Sequence, residues 1–162
     1  MKSNIFLGLG SNIDDRVKHL YTATSLIGSC ADIKIVQSSS IYETEPWGIR
    51  NQNSFLNQVL KIQSSLSAPD LLAFVKDVEI KTGRMERAKW HEREIDIDVL
   101  FYDNVIISTE KYKVPHGEIQ NRKFVLIPMC EIAADFIHPV LNTSMKQLLA
   151  ETKDISEVKT YK

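Results

Sequence analysis

Two aspartates placed two residues apart are the side chains of this sequence best suited to chemistry. The stretch EIDIDVLFYDN, residues 94–104, alternates apolar and polar residues as a strand does, and it contains Asp96 and Asp98. Successive side chains of a strand point to opposite faces, so these two carboxylates share one face, with Cα atoms about 6.5–7 Å apart. Carboxylates in that arrangement can hold Mg²⁺, which prefers oxygen ligands and binds one or two carboxylates together with substrate phosphates.

The apolar residues of the same strand are expected to face the core. Ile95, Ile97, Val99 and Phe101 alternate with the acids and therefore share the opposite side of the strand. Two acids on a solvent-exposed strand face would produce the same pattern without any metal. The neighbouring residues are therefore needed to distinguish a metal site from a solvent-exposed strand face.

Basic residues lie on both sides of the acid pair in the sequence. The planar guanidinium group binds phosphate oxygens in bidentate fashion, and such groups act together with metal ions on transferring phosphoryl groups. Acids beside arginines therefore favour a nucleoside triphosphate site, although a solvated charged loop would have the same composition. The residues concerned are Arg84, Arg87, Lys89 and Arg93 before the acids, and His116, Arg122 and Lys123 after them.

Composition limits the class of protein. The 162 residues are 43% hydrophobic and 25% charged with a net charge of −1, which predicts one folded domain over residues 1–162. The charge balance argues against nucleic acid or a membrane as partner. Cys30 and Cys130 have no metal-ligand spacing and suit reduced thiols, and the apolar run after the N-terminus is too short for a signal peptide. We therefore expect a cytoplasmic protein.

Hydrophobic periodicity and turn residues predict an α+β fold. The order strand, helix, strand, strand, helix, strand is that of a ferredoxin-like split β-α-β-β-α-β unit, an antiparallel sheet covered by helices. Many functions use this fold, so it decides no activity. Strands are predicted from Asn4 to the turn at Gly10-Ser11-Asn12, from about Ile33 to Tyr42, from Phe55 to Ser65 and over 94–104; helices are predicted from Asp15 to Leu26, from Ser67 to Gly83 and from about Asn121 to Ala134.

Four finer expectations follow from local residue chemistry. Asn12 or Asp14 is expected to cap the first helix. Residues 105–108 (VIIS) are expected to form a hairpin with the acid strand, and residues 144–152 a short helix. The tail after it, residues 153–162, is expected to be loosely ordered.

Several common catalytic motifs are absent from the sequence. It contains no G-x-x-x-x-G-K-[ST], so the phosphates are not bound by a P-loop, and Gly8-Leu9-Gly10 lacks the third glycine of a dinucleotide fingerprint. G-x-S-x-G, H-E-x-x-H and C-x-x-C are missing as well. A catalytic site in this chain therefore has to rest on metal and arginines.

Six blocks of the sequence resemble the 6-hydroxymethyl-7,8-dihydropterin pyrophosphokinase family (HPPK family). The blocks are REIDIDVLFY at 93–102, GLGSNI at 8–13, YETEPWG at 42–48, FLNQV at 55–59, VEIKTGR at 78–84, and VPH at 114–116 followed by NRKFVLIPMCEIA at 121–133. They occur in the family's order and span Gly8 to about Ala134. Each block is modestly specific, and chance does not explain all six together.

The resemblance implies a folate-pathway transferase of the kinase type. Such an enzyme transfers the pyrophosphoryl group of ATP to the hydroxymethyl oxygen of the dihydropterin and releases AMP. It implies ATP as co-substrate and two Mg²⁺ ions held by Asp96 and Asp98, which serve both as metal ligands and as catalytic residues. The partners are these small molecules, and association with other folate-pathway enzymes is left open.

The same resemblance implies roles for individual residues. Arg93 would hold phosphates, with Arg84 and Arg87 on a loop that closes over ATP. The other ATP-binding residues would be Trp90, Val99, Lys111, Lys113, His116 and Arg122. The pterin would stack between Phe55 and Phe124, with Thr44, Glu45, Trp47 and Asn57 at its hydrogen-bonding edge. Phe55 and Asn57 are two apart on a strand and share a face, as stacking plus edge recognition requires.

Some positions depart from the family pattern. Residues 90–93 read W-H-E-R where W-G-P-R is usual, and Arg87 is displaced by one position from the usual arginine spacing. Glu45 replaces a proline, and Gly117 stands where an aromatic often follows the histidine. These changes leave the role of Arg87 and the strength of ATP binding open.

Two other functions fit part of the pattern. A nucleotidyltransferase of the polymerase-β type also combines Gly-Ser with D-x-D, but there the motifs are roughly a dozen residues apart, and here more than eighty residues separate Ser11 from Asp96. A non-catalytic small-ligand-binding module of the same fold explains the order of elements and leaves the acids without a role.

Overall fold

The computed structural model of the chain describes residues 1–45, 51–88 and 91–162. The predicted roles of Trp47 and Trp90 therefore lie outside the described residues. The elements in chain order are β1 (Lys2–Ser11), α1 (Arg16–Gly28), β2 (Ile33–Ser38), β3 (Tyr42–Thr44), β4 (Phe55–Ser64), α2 (Ala68–Thr82), β5 (Asp96–Tyr102), β6 (Ile107–Ser108), β7 (Lys113–Val114), a 3-10 turn (Ile119–Asn121), α3 (Lys123–Ala133), α4 (Met145–Glu151) and β8 (Val158–Thr160).

The main sheet confirms the predicted α+β fold. Its strands follow the order β5-β1-β4-β3-β8 and pair antiparallel, and β2 also pairs with β4. Strands β2 and β3 pair with successive parts of β4, so together they occupy one position of the sheet. The order β5-β1-β4 followed by β2 and β3 is that of a split β-α-β-β-α-β unit.

The helices cover the two faces of the sheet unequally. Alternation along β1 sends Ile5, Leu7 and Leu9 into a core with α1 and α2, whereas Phe6 joins a second core with α3 and α4. The second core is confined to the part of the sheet around Phe6. Gly8, further along β1 on the same face, lines an open cleft instead.

Local capping signals are confirmed for α2. Ser67 accepts a hydrogen bond from the Asp70 N–H at 3.2 Å, and Gly83 ends the helix with a φ of 111°, a left-handed conformation that glycine adopts without strain. The cap predicted for α1 is wrong, because the side chain of Asp15 accepts from the Lys18 N–H at 3.1 Å. A cap is a contact within four residues, so several neighbouring candidates are hard to distinguish from sequence.

One predicted strand is split in two. The expected strand from Ile33 to Tyr42 is interrupted between β2 and β3, where the Ser39 hydroxyl accepts the Val59 N–H at 2.9 Å. The Ser40 N–H donates to the carboxylate of Glu131 on α3 at 3.0 Å. Side chains thus replace ladder hydrogen bonds at the break.

A β-bulge in β5 corrects the predicted face of Phe101. Phe6 pairs with Phe101 but Leu7 pairs with Val99, so Leu100 is an extra residue in the strand. The bulge moves Phe101 into the second core, on the side of the acids, while Val99 stays in the first core. The prediction that Phe101 shares a face with Val99 is therefore wrong.

Two expectations about the later part of the chain also differ from the structure. Residues 107–108 pair with β7 in a separate two-stranded sheet, and not with the acid strand. The tail expected to be loosely ordered contains β8, which pairs with β3 along Val158–Thr160. Among the helices described, none combines the length and apolar character needed to cross a membrane.

Candidate active site

A cleft of about 260 Å³ opens on the sheet face that α3 and α4 leave uncovered. Strands β1, β4 and β5 form its floor, and the start of α3 forms one wall. The residues that define the cleft here are Gly10, Phe55, Asn57, Asp96, Asp98 and Phe124. Ten of the residues predicted from sequence line the cleft. They are Thr44, Glu45, Phe55, Asn57, Arg93, Asp96, Asp98, His116, Arg122 and Phe124.

Backbone pairing aligns the acids with an amide across the floor of the cleft. Gly10 pairs with Asp96 on one side and with Asn57 on the other, so the three residues form one row over three strands. Neighbouring strands are about 4.8 Å apart, which puts the Asp96 and Asn57 backbones roughly 10 Å apart. From sequence, Gly10 was expected only to end a strand, and its place in this row was not predicted.

Gly10 keeps the centre of the row open. A Cβ atom at this position would lie 3.0 Å from Asn57 Oδ1 and 3.6 Å from Phe55 Cδ1. The amide of Asn57 is itself fixed, since its Nδ2 donates to the Thr44 hydroxyl at 2.9 Å and both residues are buried. A ring lying over Gly10 would therefore meet an amide with a defined orientation.

The two aspartates of the cleft repel each other. Burial and the neighbouring charge of Asp96 raise the pKa of Asp98 to about 7, with Arg122 acting in the opposite direction. Arg84 Nη1 lies 3.3 Å from Asp96 Oδ1, and His116 Nε2 lies 3.9 Å from Asp98 Oδ2. Such a pair of close carboxylates favours a bound cation.

Glu79 supports the acid strand from below and was assigned no role from sequence. Its side chain is 2% exposed, and Oε2 accepts the N–H of Ile97, the residue between the two acids, at 2.8 Å. The same oxygen lies 2.7 Å from Arg84 Nη1, which places Arg84 between Glu79 and Asp96. Burial is the main cause that raises the pKa of Glu79. A buried acid in an otherwise apolar helical stripe is the signal that could have identified it.

Arg87 does not line the cleft in the described structure. Its guanidinium donates to both carboxylate oxygens of Glu94, at 2.6 and 2.7 Å. The Arg87 hydrogen bonds are the main cause that lowers the pKa of Glu94 to about 2, although burial acts in the opposite direction. The predicted clamp on ATP is thus engaged in a bidentate ion pair that holds the loop against the start of the acid strand.

Replacing Glu94 by glutamine should destabilise the fold in a pH-dependent way. We expect a loss of about 2 kcal/mol in unfolding free energy at pH 7, because a nearly buried charge-assisted pair is removed. A lowered pKa stabilises the folded state fully above the unfolded value of 4.5, and this contribution disappears as pH falls toward 2. Denaturant titrations at several pH values test this.

The matched control is Asp77→Asn, which removes an exposed ion pair with Lys81 at 2.8 Å. We expect a change below about 0.5 kcal/mol for this variant. A Glu94→Gln loss of equal size at pH 7 and pH 2.5 would contradict the assignment.

Asn12 links the segment before β4 to the segment before β5. Its side chain is fully buried, and Nδ2 donates to Gln52 Oε1 at 3.0 Å and to the Asn53 carbonyl at 3.3 Å. Its Oδ1 accepts the Arg93 N–H at 2.7 Å. The expected helix cap is instead a cross-link between the segment before β4 and the segment before β5.

Arg93 shapes the loop that carries it. Its Nη1 donates to the carbonyls of Ala88, His91 and Glu92 at 3.4, 3.1 and 3.3 Å. Arg93 and His91 both line the cleft. His91 stands at one of the positions that depart from the family pattern, and its place in the cleft was not predicted.

His116 presents a hydrogen-bond donor toward the acids. Its backbone N–H donates to the Leu100 carbonyl at 3.1 Å, which fixes the residue beside β5. The ring Nδ1 accepts the Glu118 N–H at 3.2 Å, so Nε2 carries the proton on the side of Asp98. Burial, with a smaller contribution from Arg122, lowers the pKa of His116 and favours the neutral ring.

Besides Arg84 and Arg87, three more of the residues assigned to ATP do not line the cleft in the described part of the chain. Lys113 is the first residue of β7 and Lys111 lies just before this strand, and both side chains are exposed. Val99 is buried in the first core, on the face opposite the acids, so its side chain is screened from the cleft by the strand itself. The alternation of β5 already implied this position for Val99.

Comparisons with known proteins identify the family. The family model described as "7,8-dihydro-6-hydroxymethylpterin-pyrophosphokinase (HPPK)" matches residues 6–134. A protein of Aquifex aeolicus (strain VF5), named 2-amino-4-hydroxy-6-hydroxymethyldihydropteridine pyrophosphokinase, is 40% identical over 149 residues, which cover 92% of each chain. A protein of the same name from Haemophilus influenzae is 37% identical over 134 residues, covering 83% of this chain and 84% of that one.

Solved structures support the fold. The crystal structure described as Plasmodium falciparum HPPK-DHPS wild type matches with a TM-score of 0.73 at 17% identity, covering 93% of this chain and 45% of that chain. This chain thus spans less than half the length of that protein. By the family match and the close relatives, the chain belongs to the 7,8-dihydro-6-hydroxymethylpterin-pyrophosphokinase family.

Proposed function

We propose that this chain transfers the pyrophosphoryl group of ATP to the hydroxymethyl oxygen of 6-hydroxymethyl-7,8-dihydropterin, in folate biosynthesis. The observation that carries the proposal is the row formed by Asp96, Gly10 and Asn57. It sets a pair of carboxylates roughly 10 Å from an oriented amide, with a gap over the glycine between them. A flat ring over Gly10 can thus extend a substituent toward phosphates bound at the acids.

The donor set of the cleft fits Mg²⁺. Within residues 1–45, 51–88 and 91–162, no cluster of three or more His, Cys, Asp or Glu side chains could form a complete protein cage. Mg²⁺ is commonly held by one or two carboxylates, with phosphates and water completing its shell, so Asp96 and Asp98 suffice. When bound there, Mg²⁺ would neutralise phosphate charge and polarise the reacting oxygens.

The described residues would have two tasks in this reaction, which are to orient the triphosphate and to bind the pterin. Arg93, Arg122 and His116, which line the cleft, would orient the triphosphate, with His116 donating from a neutral ring, and Arg84 would hold Asp96 beside them. The hydroxymethyl oxygen then attacks the β-phosphorus, the bond from that phosphorus to the α-phosphate oxygen breaks, AMP leaves with that oxygen, and the hydroxyl proton passes to water. Positioning and charge stabilisation are sufficient for such a transfer, so no covalent protein intermediate is required.

The pterin would be bound by stacking and by its polar edge. Phe55 and Phe124 both line the cleft, and aromatic faces stack on flat heterocycles. Asn57 and Thr44, which hydrogen-bond each other at 2.9 Å, would read the amide-like edge of the ring together with Glu45 at the cleft rim.

The product of the reaction tests this function. Purified protein incubated with ATP, Mg²⁺ and the hydroxymethyl-dihydropterin should form AMP and the pterin diphosphate in equal amounts, separated by chromatography. ADP as the sole nucleotide product would contradict pyrophosphoryl transfer. Pterin binding without any nucleotide product would favour a non-catalytic binding module. The cytoplasmic location and any association with other folate-pathway enzymes stay predictions.

A further inference from the structure

Helix α3 begins between two of the proposed site residues. Arg122 occupies its N-cap position, Lys123 is its first residue, and Phe124 follows. The first N–H groups of a helix need acceptors from outside the helix, and Ser, Thr, Asp or Asn usually supplies one at the N-cap. A guanidinium group has donors only, so Arg122 is chemically unable to do this. Its side chain lines the cleft.

The missing acceptor comes from the C-terminal tail. Asp154 Oδ2 accepts the Lys123 N–H at 2.8 Å, and Asp154 Oδ1 accepts the Ser156 N–H at 2.9 Å. Burial would raise the pKa of Asp154, but the hydrogen bonds from Ser156 and Lys123 outweigh it and lower the pKa. The carboxylate is thus ionised at neutral pH, and a negative charge at a helix N-terminus is favourable.

The same tail also holds the other side of the cleft. Beyond Asp154 it forms β8, in which Val158 pairs with Thr44 of β3. The Tyr161 N–H then donates to the Ile41 carbonyl at 2.8 Å. One short segment, residues 154–161, therefore contacts both the start of α3 and the strand that carries Thr44.

We infer that Asp154 is a positioning residue for the cleft, which caps α3 so that Arg122 can face the substrates. The inference rests on the proposed function, because Arg122 and Phe124 are the substrate-facing residues that the cap would order. Asp154 lies beyond residue 134, where the match to the family model ends. The tail thereby contributes to the site without touching a substrate.

The rest of α3 is anchored independently of the cap. Leu126 and Met129 are fully buried in the second core, and Glu131 accepts hydrogen bonds from Ser40 and from the Tyr42 hydroxyl at 2.7–3.0 Å. Loss of the cap should therefore loosen only the first turn, and the variant should fold. Substrate binding would then have to restore the order of Arg122 and Phe124, which weakens binding in the ground state and the transition state alike.

The experiment compares Asp154→Ala and Asp154→Asn with the wild type and with Glu157→Ala. Glu157 is an exposed tail acid paired with Lys159 at 3.3 Å, so its variant removes the same charge without a cap. We expect Asp154→Ala to raise the KM for ATP and for the pterin about fivefold and to change kcat less than about twofold. Asp154→Asn should restore KM, because asparagine caps about as well as aspartate.

Two further measurements separate this inference from the proposed function. Amide exchange followed by NMR should show faster exchange at Lys123 in Asp154→Ala, with Met129 unchanged. The Kd of α,β-methylene-ATP with Mg²⁺, measured by calorimetry, should rise about fivefold in the same variant. AMP formation by the wild type tests the proposed function. Equal Kd values in Asp154→Ala and Glu157→Ala, or unchanged Lys123 exchange, would overturn the role of Asp154 whether or not AMP forms.

Discussion

Replacing Asp98 by asparagine is expected to abolish Mg²⁺-dependent turnover while making the ligand-free protein more stable. The variant loses one of two carboxylates proposed to hold the metal, and we expect kcat/KM to fall by at least about 10³, or roughly 4 kcal/mol. The gain in stability follows from the pKa of about 7, which shows that the folded chain disfavours an ionised Asp98. Metal binding thus requires an ionised Asp98, whereas the ligand-free fold favours the protonated form.

The pH dependence gives this prediction its sign. A raised pKa means that the protonated acid is favoured in the folded state, so the contribution of Asp98 to wild-type stability is greatest below the unfolded value of 3.8 and is lost as pH rises through about 7. The melting temperature of Asp98→Asn should therefore match that of wild type near pH 4 and exceed it by about 2–4 °C at pH 8. The Asp98 side chain is 39% exposed, so screening by water keeps this gain small.

Asp103→Asn is the matched control for Asp98→Asn. Asp103 directly follows β5 and has a φ of 49°, a conformation that asparagine also adopts. This variant should keep its turnover. Adding Mg²⁺ with the ATP analogue should raise the melting temperature of wild type and of Asp103→Asn, but not of Asp98→Asn. Turnover of Asp98→Asn within tenfold of wild type would exclude Asp98 as a metal ligand.

A single methyl group at Gly10 is expected to block the pterin site. The Cβ of Gly10→Ala would lie 3.0 Å from Asn57 Oδ1, so the amide has to move and its hydrogen bond to Thr44 is lost or distorted. Overpacking and the disturbed hydrogen bond together should lower kcat/KM for the pterin roughly 10²-fold, or about 3 kcal/mol. The Kd of α,β-methylene-ATP should change less than about threefold, since the phosphates are proposed to bind at the acids.

The control for Gly10→Ala is Gly28→Ala at the end of α1. There the added Cβ would lie 3.4 Å from Ile35 Cδ1, an ordinary contact outside the cleft. Both parameters should stay at wild-type values in this variant. Equal losses of pterin and ATP-analogue affinity in Gly10→Ala would indicate a general distortion of the sheet, and would count against the proposed position of the ring.

Elements defined by local patterns were predictable from the sequence. Helix α2 begins after Ser67 and ends at Gly83 because a serine cap and a left-handed glycine act within a few residues of the helix end. The placement of Asp96 and Asp98 on one face depends only on strand alternation, and the bulge that reverses alternation comes after them. The family resemblance, confirmed by the comparisons, added the residues that face the acids across the sheet.

The contacts that arrange the cleft required the tertiary structure. Sequence shows that Glu79, Arg87, Asn12 and Asp154 are polar, but each has a partner between 7 and 81 positions away along the chain, as in the Arg87 to Glu94 and Asn12 to Arg93 pairs. Each residue also had a plausible local interpretation. Glu79 fell in a helical stripe, Arg87 in a charged loop, Asn12 at a possible helix cap and Asp154 in a tail expected to be loosely ordered. A buried charge or amide has to be paired, and which partner it finds is decided by packing that brings distant segments together.

The sequence by itself therefore determined the order of the main strands and helices and the common face of the two acids, because these depend on neighbours along the chain. Only the tertiary structure decided that Arg87 turns to Glu94, that Phe101 crosses to the other core, and that the tail caps α3. The position of Phe101 follows from the pairing register of β5 with β1, and the other two follow from the need to pair polar groups. Edge N–H groups, buried charges and helix ends are satisfied by whichever distant group the fold brings within reach.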